Sequence, residues 1–210
     1  MTHTAMIAKI CTAAPVIPVL TIDRVEDAQP LARALVAGGL PALEITLRTA
    51  AALEAIAAVA EVEGAMAGVG TLLTAAQIRD AKAAGATFGV SPGATETLIQ
   101  AARDYDLPLL PGAATATEAM RLLEQGFVFQ KFFPAEAAGG ETALGSMAGP
   151  LPQITFCPTG GVTPENAKTY LALPNTRCVG GSWIAPKALI DAGDWDQITQ
   201  IARRAADLLA

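Results

Sequence analysis

The chain has 210 residues, 52% of them hydrophobic and 16% charged, with a formal net charge of −6 and a pI near 4.8. That composition excludes a disordered chain. With no basic stripe it also argues against nucleic acid and anionic membrane as partners.

In chain order, the pattern predicts a short helix over 6–12 and then short β-rich runs alternating with alanine-rich helical stretches. Strands are expected at 16–22, 42–48, 66–72, 88–93, 108–113, 127–134, 154–161 and 178–183. Successive starts lie about 19–27 residues apart, the length of one strand, one helix and two short loops. A helix over 24–37 ends in Gly38-Gly39, a C-cap pair. Thr74 opens a helix closed by Gly85, Thr95 opens 96–104, and Thr115 opens a helix that ends before Gly126. Thr163-Pro164-Glu165 places a capping residue and then proline at the first helical position. Asp194 is expected to cap the last helix, which runs to Leu209. The segment 10–20 is apolar, but it holds Pro15 and Pro18, and Lys9 is the one basic residue before it. It reads as a strand rather than a signal-peptide core. No apolar run reaches the ~18 residues of a membrane helix.

Eight strand–helix units in this length point to one α/β domain over 1–210, a (β/α)8 TIM barrel with an extra N-terminal helix closing its bottom. The alternative is a doubly wound open sheet. That fold would place a phosphate site after the first strand, and no G-x-G-x-x-G follows Ile22.

In a barrel, chemistry collects at the C-terminal ends of the strands. The polar residues follow that rule: Glu44, Thr46 and Arg48 recur with period two, and Gly70-Thr71, Ser91-Pro92-Gly93 and Pro111-Gly112 come late in their strands. Lys131 and Phe133 share a face of the sixth strand, Thr159-Gly160-Gly161 end the seventh, and Gly180-Gly181-Ser182 end the eighth. Of five lysines, Lys131 alone sits mid-strand among apolar neighbours. There the neutral amine is favoured, and such an amine forms a Schiff base with a carbonyl substrate; the alternative is a lysine snorkelling from an edge strand. Glu44 is the one acid well inside a predicted strand. A partly buried carboxylate there suits general acid/base work, against a structural ion pair with Arg48 or Lys131. The Arg48 fork suits a carboxylate and would help hold Lys131 neutral by repulsion, although a plain structural arginine stays open. Glycine pairs after strands 7 and 8 are where barrels receive phosphate. The substrate expected is thus a phosphorylated small molecule bearing a carbonyl.

Cys11, Cys157 and Cys178 are odd in number and lack C-x-x-C spacing. They fit reduced thiols of a cytoplasmic enzyme. The single histidine, His3, lies in the N-terminal tail, so no histidine-ligated metal is expected.

Taken together, Glu44-Ile-Thr-Leu-Arg-Thr49, Gly68-Val-Gly-Thr71, Ser91-Pro-Gly93, Lys131-Phe-Phe-Pro-Ala-Glu136, Phe156-Cys-Pro-Thr-Gly-Gly161 and Gly180-Gly-Ser-Trp183 resemble, in order and over nearly the whole chain, the 2-keto-3-deoxy-6-phosphogluconate (KDPG) aldolase / 4-hydroxy-2-oxoglutarate aldolase family. The resemblance implies a class I aldolase of the Entner–Doudoroff type, with Lys131 forming the Schiff base and Glu44 as general acid/base. It implies that Arg48 and Thr71 hold the pyruvyl carboxylate, that Pro92 and Phe133 line the pocket, and that Thr159, Gly160, Gly161, Gly181 and Ser182 receive the phosphate. It further implies a homotrimer without metal or cofactor, often active on 4-hydroxy-2-oxoglutarate as well. Gln130, beside the lysine, should face away from the pocket. Rival readings are an aldolase for the galactose-configured epimer, a barrel isomerase or epimerase, and a non-catalytic binding module. An isomerase would need a second acid or histidine, for which Asp23 is the one candidate. A binding module would be expected to lack the lysine or the acid, and both are present.

Overall fold

Thr2 opens the first helix, α1 (His3–Ala13), by accepting a hydrogen bond from the Ala5 amide. This computed structural model describes residues 2–209. After α1 come β1 (Val16–Leu20), α2 (Val25–Ala37), β2 (Ala42–Thr46), α3 (Ala52–Ala60), β3 (Met66–Gly70), α4 (Ala75–Ala83), β4 (Phe88–Val90) and α5 (Glu96–Asp104). They are followed by β5 (Leu109–Leu110), β6 (Gly112–Ala113), α6 (Ala116–Glu124), β7 (Phe129–Phe132), α7 (Gly140–Ser146), β8 (Thr155–Pro158) and α8 (Ala167–Leu171). The chain ends in β9 (Val179–Gly181), α9 (Lys187–Ala192), α10 (Trp195–Ala206) and a 3-10 turn, Asp207–Leu209.

All strand pairings are parallel, in the orders β5-β4-β3-β2-β1-β9 and β6-β7-β8. The two arcs are halves of one ring. Proline has no N–H for a ladder, so Pro111 divides the expected fifth strand into β5 and β6, while its carbonyl still accepts from the Lys131 amide at 2.8 Å. The other seam closes through parallel bridges Phe156↔Thr176 and Thr159↔Gly180. The result is the expected (β/α)8 barrel.

The strands alternate between two apolar clusters. Leu43, Ile45, Val69, Phe132 and Phe156 face the helices, together with Leu31, Ile56 and Ile78 from those helices. Ile17, Ala42, Phe88, Val90, Leu110, Cys157 and Cys178 fill the barrel interior, where Ile7, Ile10 and Cys11 of α1 plug its lower end.

Thr74 and Thr115 cap α4 and α6 with reciprocal Gln77 and Glu118 side chains, and Thr95 caps α5. Two readings need correction. Thr163 does not start a regular helix: Thr163, Pro164 and Glu165 form a turn in which the Thr163 hydroxyl accepts from Asn166 N, and α8 begins at Ala167. His3 is not in a loose tail but is the first residue of α1, with its ring 2.8 Å from Asp106. The short helix α9, between the last strand and the final helix, carries no strong sequence signal of its own.

Candidate active site

β7 sets the orientation of its residues by alternation. Gln130 turns to the helix layer, fully buried, and donates to Ala119 O at 3.0 Å and Phe127 O at 2.9 Å. Lys131 therefore turns inward. Its side chain is buried, and Nζ lies 3.2 Å from Glu44 Oε1, also buried, which reaches it from β2 across the barrel. Lys131 is the one buried lysine. Lys82 and Lys187 instead hold surface ion pairs with Asp106 and with Asp23 and Asp191.

Putting both charges inside costs several kcal/mol of desolvation per ion, more than a well-packed apolar pair would. The interior gives up apolar packing at this level, and the level is the C-terminal end of the strands.

The neighbours are shaped to accept the pair. A Cβ on Gly70 would sit 2.4 Å from Glu44 Oε1, so β3 provides a bare backbone where the carboxyl lies. The Phe133 ring centroid is 5.2 Å from Lys131 Nζ, in cation–π range. The turn after β8 adjoins that ring: a Cβ on Gly160 would lie 3.2 Å from Phe133 Cε2. Gly160 and Gly161 have φ of 99° and 81°, a conformation that strains any other residue. Thr159, buried above Cys157, bridges Gly180 of β9, where a Cβ would stand 2.2 Å from Thr159 Oγ1. Gly181 is buried and Ser182 exposed just beyond it.

Thr71 follows β3 with φ 63°, an outlier for a β-branched residue. Pro92 follows β4, and its carbonyl blocks any Cβ on Gly112 at 2.2 Å. Thr46 is engaged internally, donating to Leu20 O at 2.8 Å. Arg48 lies in the turn after β2, exposed, with no hydrogen-bond or ion-pair partner among the described residues. Glu44 thus pairs with the lysine and not with the arginine. The contact with Lys131 is also what a purely structural ion pair would look like; the surrounding mouth of glycines and Phe133 is what a packed structural pair lacks.

Other candidate chemistry lies elsewhere. Neighbouring Cys11 and Cys157 and burial push the Cys178 thiol well above its ordinary value, so it stays protonated and unreactive at the plugged end. A cavity of about 110 Å³ at that end, lined by His3, Ile7, Arg103 and Phe127 among others, contains no acid. No cluster of three or more His, Cys, Asp or Glu suited to a metal occurs among the described residues. The spacer roles of Gly70 and Gly180 and the left-handed Thr71 were not foreseen. The glycines falling every second residue in the third strand, Gly68 and Gly70, were the available signal for the first.

The family model for KDPG and KHG aldolase matches residues 7–201. Over 192 residues the chain is 51% identical to a 2-dehydro-3-deoxy-phosphogluconate aldolase of Pseudoalteromonas atlantica, covering 91% of this chain and 89% of that protein. It is 49% identical to the KHG/KDPG aldolase of Escherichia coli K12, covering 94% and 93%. Among solved structures it resembles the KDPG aldolase of Legionella pneumophila, with pyruvate captured at low pH as a covalent carbinolamine intermediate. The TM-score there is 0.93 at 43% identity, covering 99% of each chain.

Proposed function

The chain belongs to the KDPG and KHG aldolase family, and on that premise we propose that Lys131 forms the Schiff base of its aldol cleavage while Glu44 carries the protons. The protein is a class I lyase that cleaves KDPG to pyruvate and glyceraldehyde 3-phosphate, and 4-hydroxy-2-oxoglutarate to pyruvate and glyoxylate. The observation that carries the residue assignment is the 3.2 Å approach of two buried groups, one nucleophile and one proton carrier.

Lys131 Nζ attacks the C2 ketone. Two protons reach the ketone oxygen through Glu44, the one the pair shares and then one the nitrogen sheds after attack, and that oxygen leaves as water. The resulting iminium draws electrons out of the C3–C4 bond. Glu44 next takes the proton of the C4 hydroxyl, the C3–C4 bond breaks, its pair becomes the enamine, and the aldehyde departs. Protonation at C3 and hydrolysis release pyruvate and restore the amine. Because one carboxyl serves each transfer, its distance from Nζ governs the cycle.

Arg48 and Thr71 hold the pyruvyl carboxylate in this reading. In support, the Arg48 guanidinium has no partner among the described residues, and its fork matches a carboxylate. Thr71 keeps a strained backbone at the mouth, the kind of outlier found at ligand clamps. Pro92 and Phe133 line the pocket. Thr159, Gly160, Gly161, Gly181 and Ser182 receive the phosphate, which is supported by the two left-handed glycines beside Phe133. The assembly we propose is a cytoplasmic homotrimer with 1–210 acting as one domain. Three free buried thiols fit a reducing compartment, and no helix is long and apolar enough to cross a membrane among the described residues.

The test is a coupled assay of pyruvate release with KDPG, its galactose-configured C4 epimer and 4-hydroxy-2-oxoglutarate, run on the wild type and Lys131→Ala. The wild type is expected to release pyruvate from KDPG in preference to the epimer, and the variant from none of the three. Substantial turnover by a folded Lys131→Ala protein would overturn the assignment.

A further inference from the structure

Behind the Gly160-Gly161 turn stands a carboxylate that the mechanism does not use. Glu136 follows β7, and its amide donates to Gly160 O at 3.0 Å, while the preceding Ala135 amide donates to Thr159 O at 2.8 Å. Its side-chain stem lies flat against Gly161, where a Cβ would come within 2.5 Å of Glu136 Cγ and 2.7 Å of Cβ. The opposite side of that glycine is held by Asn166, whose Nδ2 donates to Gly161 O at 3.2 Å. The carboxyl itself is turned away, accepting a hydrogen bond from the Tyr170 hydroxyl. Tyr170 sits in α8 with no exposed surface, and burial together with this acceptor raises its hydroxyl far above the ordinary phenol range. The hydroxyl therefore remains a donor at any working pH.

A negative carboxylate one residue's width from an anion site is a hazard unless it is anchored. Left free, it would repel a phosphate or accept the turn's amides itself. We propose that Tyr170 and Glu136 act as a positioning pair that sets the enzyme's preference for phosphorylated over unphosphorylated substrate. Tyr170 draws the carboxyl back and thereby presses the Glu136 stem against Gly161, so the turn is shaped for a dianion and its amides stay unoccupied. Neither side chain contacts the Lys131–Glu44 pair in this arrangement, so the pair acts on recognition of the distal group and not on bond breaking. This inference rests on the reading of the Gly160-Gly161 turn as the phosphate site.

The experiment compares kcat and KM for KDPG and for its dephosphorylated counterpart, 2-keto-3-deoxygluconate, in the wild type, Tyr170→Phe, Glu136→Gln and Glu136→Ala, with thermal unfolding of each. The wild type is expected to favour the phosphorylated acid through KM. Tyr170→Phe is expected to raise KM for KDPG about tenfold, with kcat and the dephosphorylated substrate unchanged. Glu136→Gln, which keeps an acceptor for the hydroxyl, retains the preference, whereas Glu136→Ala loses it. Equal losses on both substrates, or a preference that survives in Tyr170→Phe and Glu136→Ala, would refute the positioning role while leaving the phosphate site intact. Should Tyr170→Phe not fold, the contrast between the two Glu136 variants decides the matter. A wild type with no preference at all would overturn the phosphate reading and this inference together.

Discussion

Gly70→Ala offers a sharp probe of the buried pair. The backbone of β3 at Gly70 is one that any residue adopts, so the change introduces a methyl group and nothing else. That methyl would stand 2.4 Å from Glu44 Oε1, 2.6 Å from Cγ and 2.9 Å from Cδ. Ordinary contact begins at 3.4 Å, so the carboxyl must retreat by about 1 Å, the difference between 3.4 and 2.4. Starting from 3.2 Å, a retreat of that size directed away from the amine puts Oε1 as far as roughly 4 Å from Nζ, outside hydrogen-bond reach. A 1 Å misplacement of a catalytic group costs on the order of 10²-fold in rate, about 2.7 kcal/mol in the barrier. Stability should move less, because overpacking costs ~1–3 kcal/mol and the stiffer unfolded chain returns ~0.4–1 kcal/mol. Gly68→Ala is the matched control. Its methyl would meet the buried Phe88 ring first, at 2.1 Å, so it should lower Tm more and kcat less. Lactate dehydrogenase coupling follows pyruvate, and circular dichroism follows unfolding. If Gly70→Ala turns over within threefold of wild type, or if both glycines affect kcat alike, the positional argument for Glu44 is wrong.

Glu44→Gln keeps the shape but cannot cycle protons, and kcat should fall roughly 10²–10⁴-fold; an unchanged rate by the same assay removes Glu44 from the mechanism. Gly180→Ala drives a methyl into Thr159 Oγ1 at 2.2 Å. It should raise KM for KDPG about tenfold, the size of one hydrogen bond to a charged group, with little change in kcat. Dialysis against EDTA should leave pyruvate release undiminished; activity lost and then restored by a divalent ion would favour a metal-dependent aldolase.

The strand–helix rhythm and the inward turn of Lys131 and Glu44 were readable because each rests on local pattern. Phe127 to Pro134 is a β-type run with one lysine, and Glu44 lies in an otherwise apolar strand, so period two alone turns both inward and sends Gln130 outward. The capping threonines at 74, 95 and 115 were equally local. Pro111 did not stop the barrel from closing, because its carbonyl keeps the ladder that its missing N–H breaks. Thr163 misled because a capping residue followed by proline also opens a turn: its hydroxyl accepts from the Asn166 amide, but the regular helix begins only at Ala167. The period-two argument ends at Thr46: β2 stops there, so strand parity does not place Arg48. Contacts between distant segments left the faintest trace. Nothing near Tyr170 announces Glu136, thirty-four residues away, and the glycines at 68, 70 and 180 read as turn or phosphate residues until the side chains they accommodate are seen.

The most direct measurement is borohydride reduction of the enzyme in the presence of pyruvate, followed by mass spectrometry of a tryptic digest. Reduction fixes the imine as a stable secondary amine, so the modified peptide names the nucleophile. The adduct is expected on Lys131 alone, and Glu44→Gln should slow its formation. Modification of Lys9, Lys82, Lys168 or Lys187 instead, or none at all in active enzyme, would contradict a Schiff base at the buried lysine.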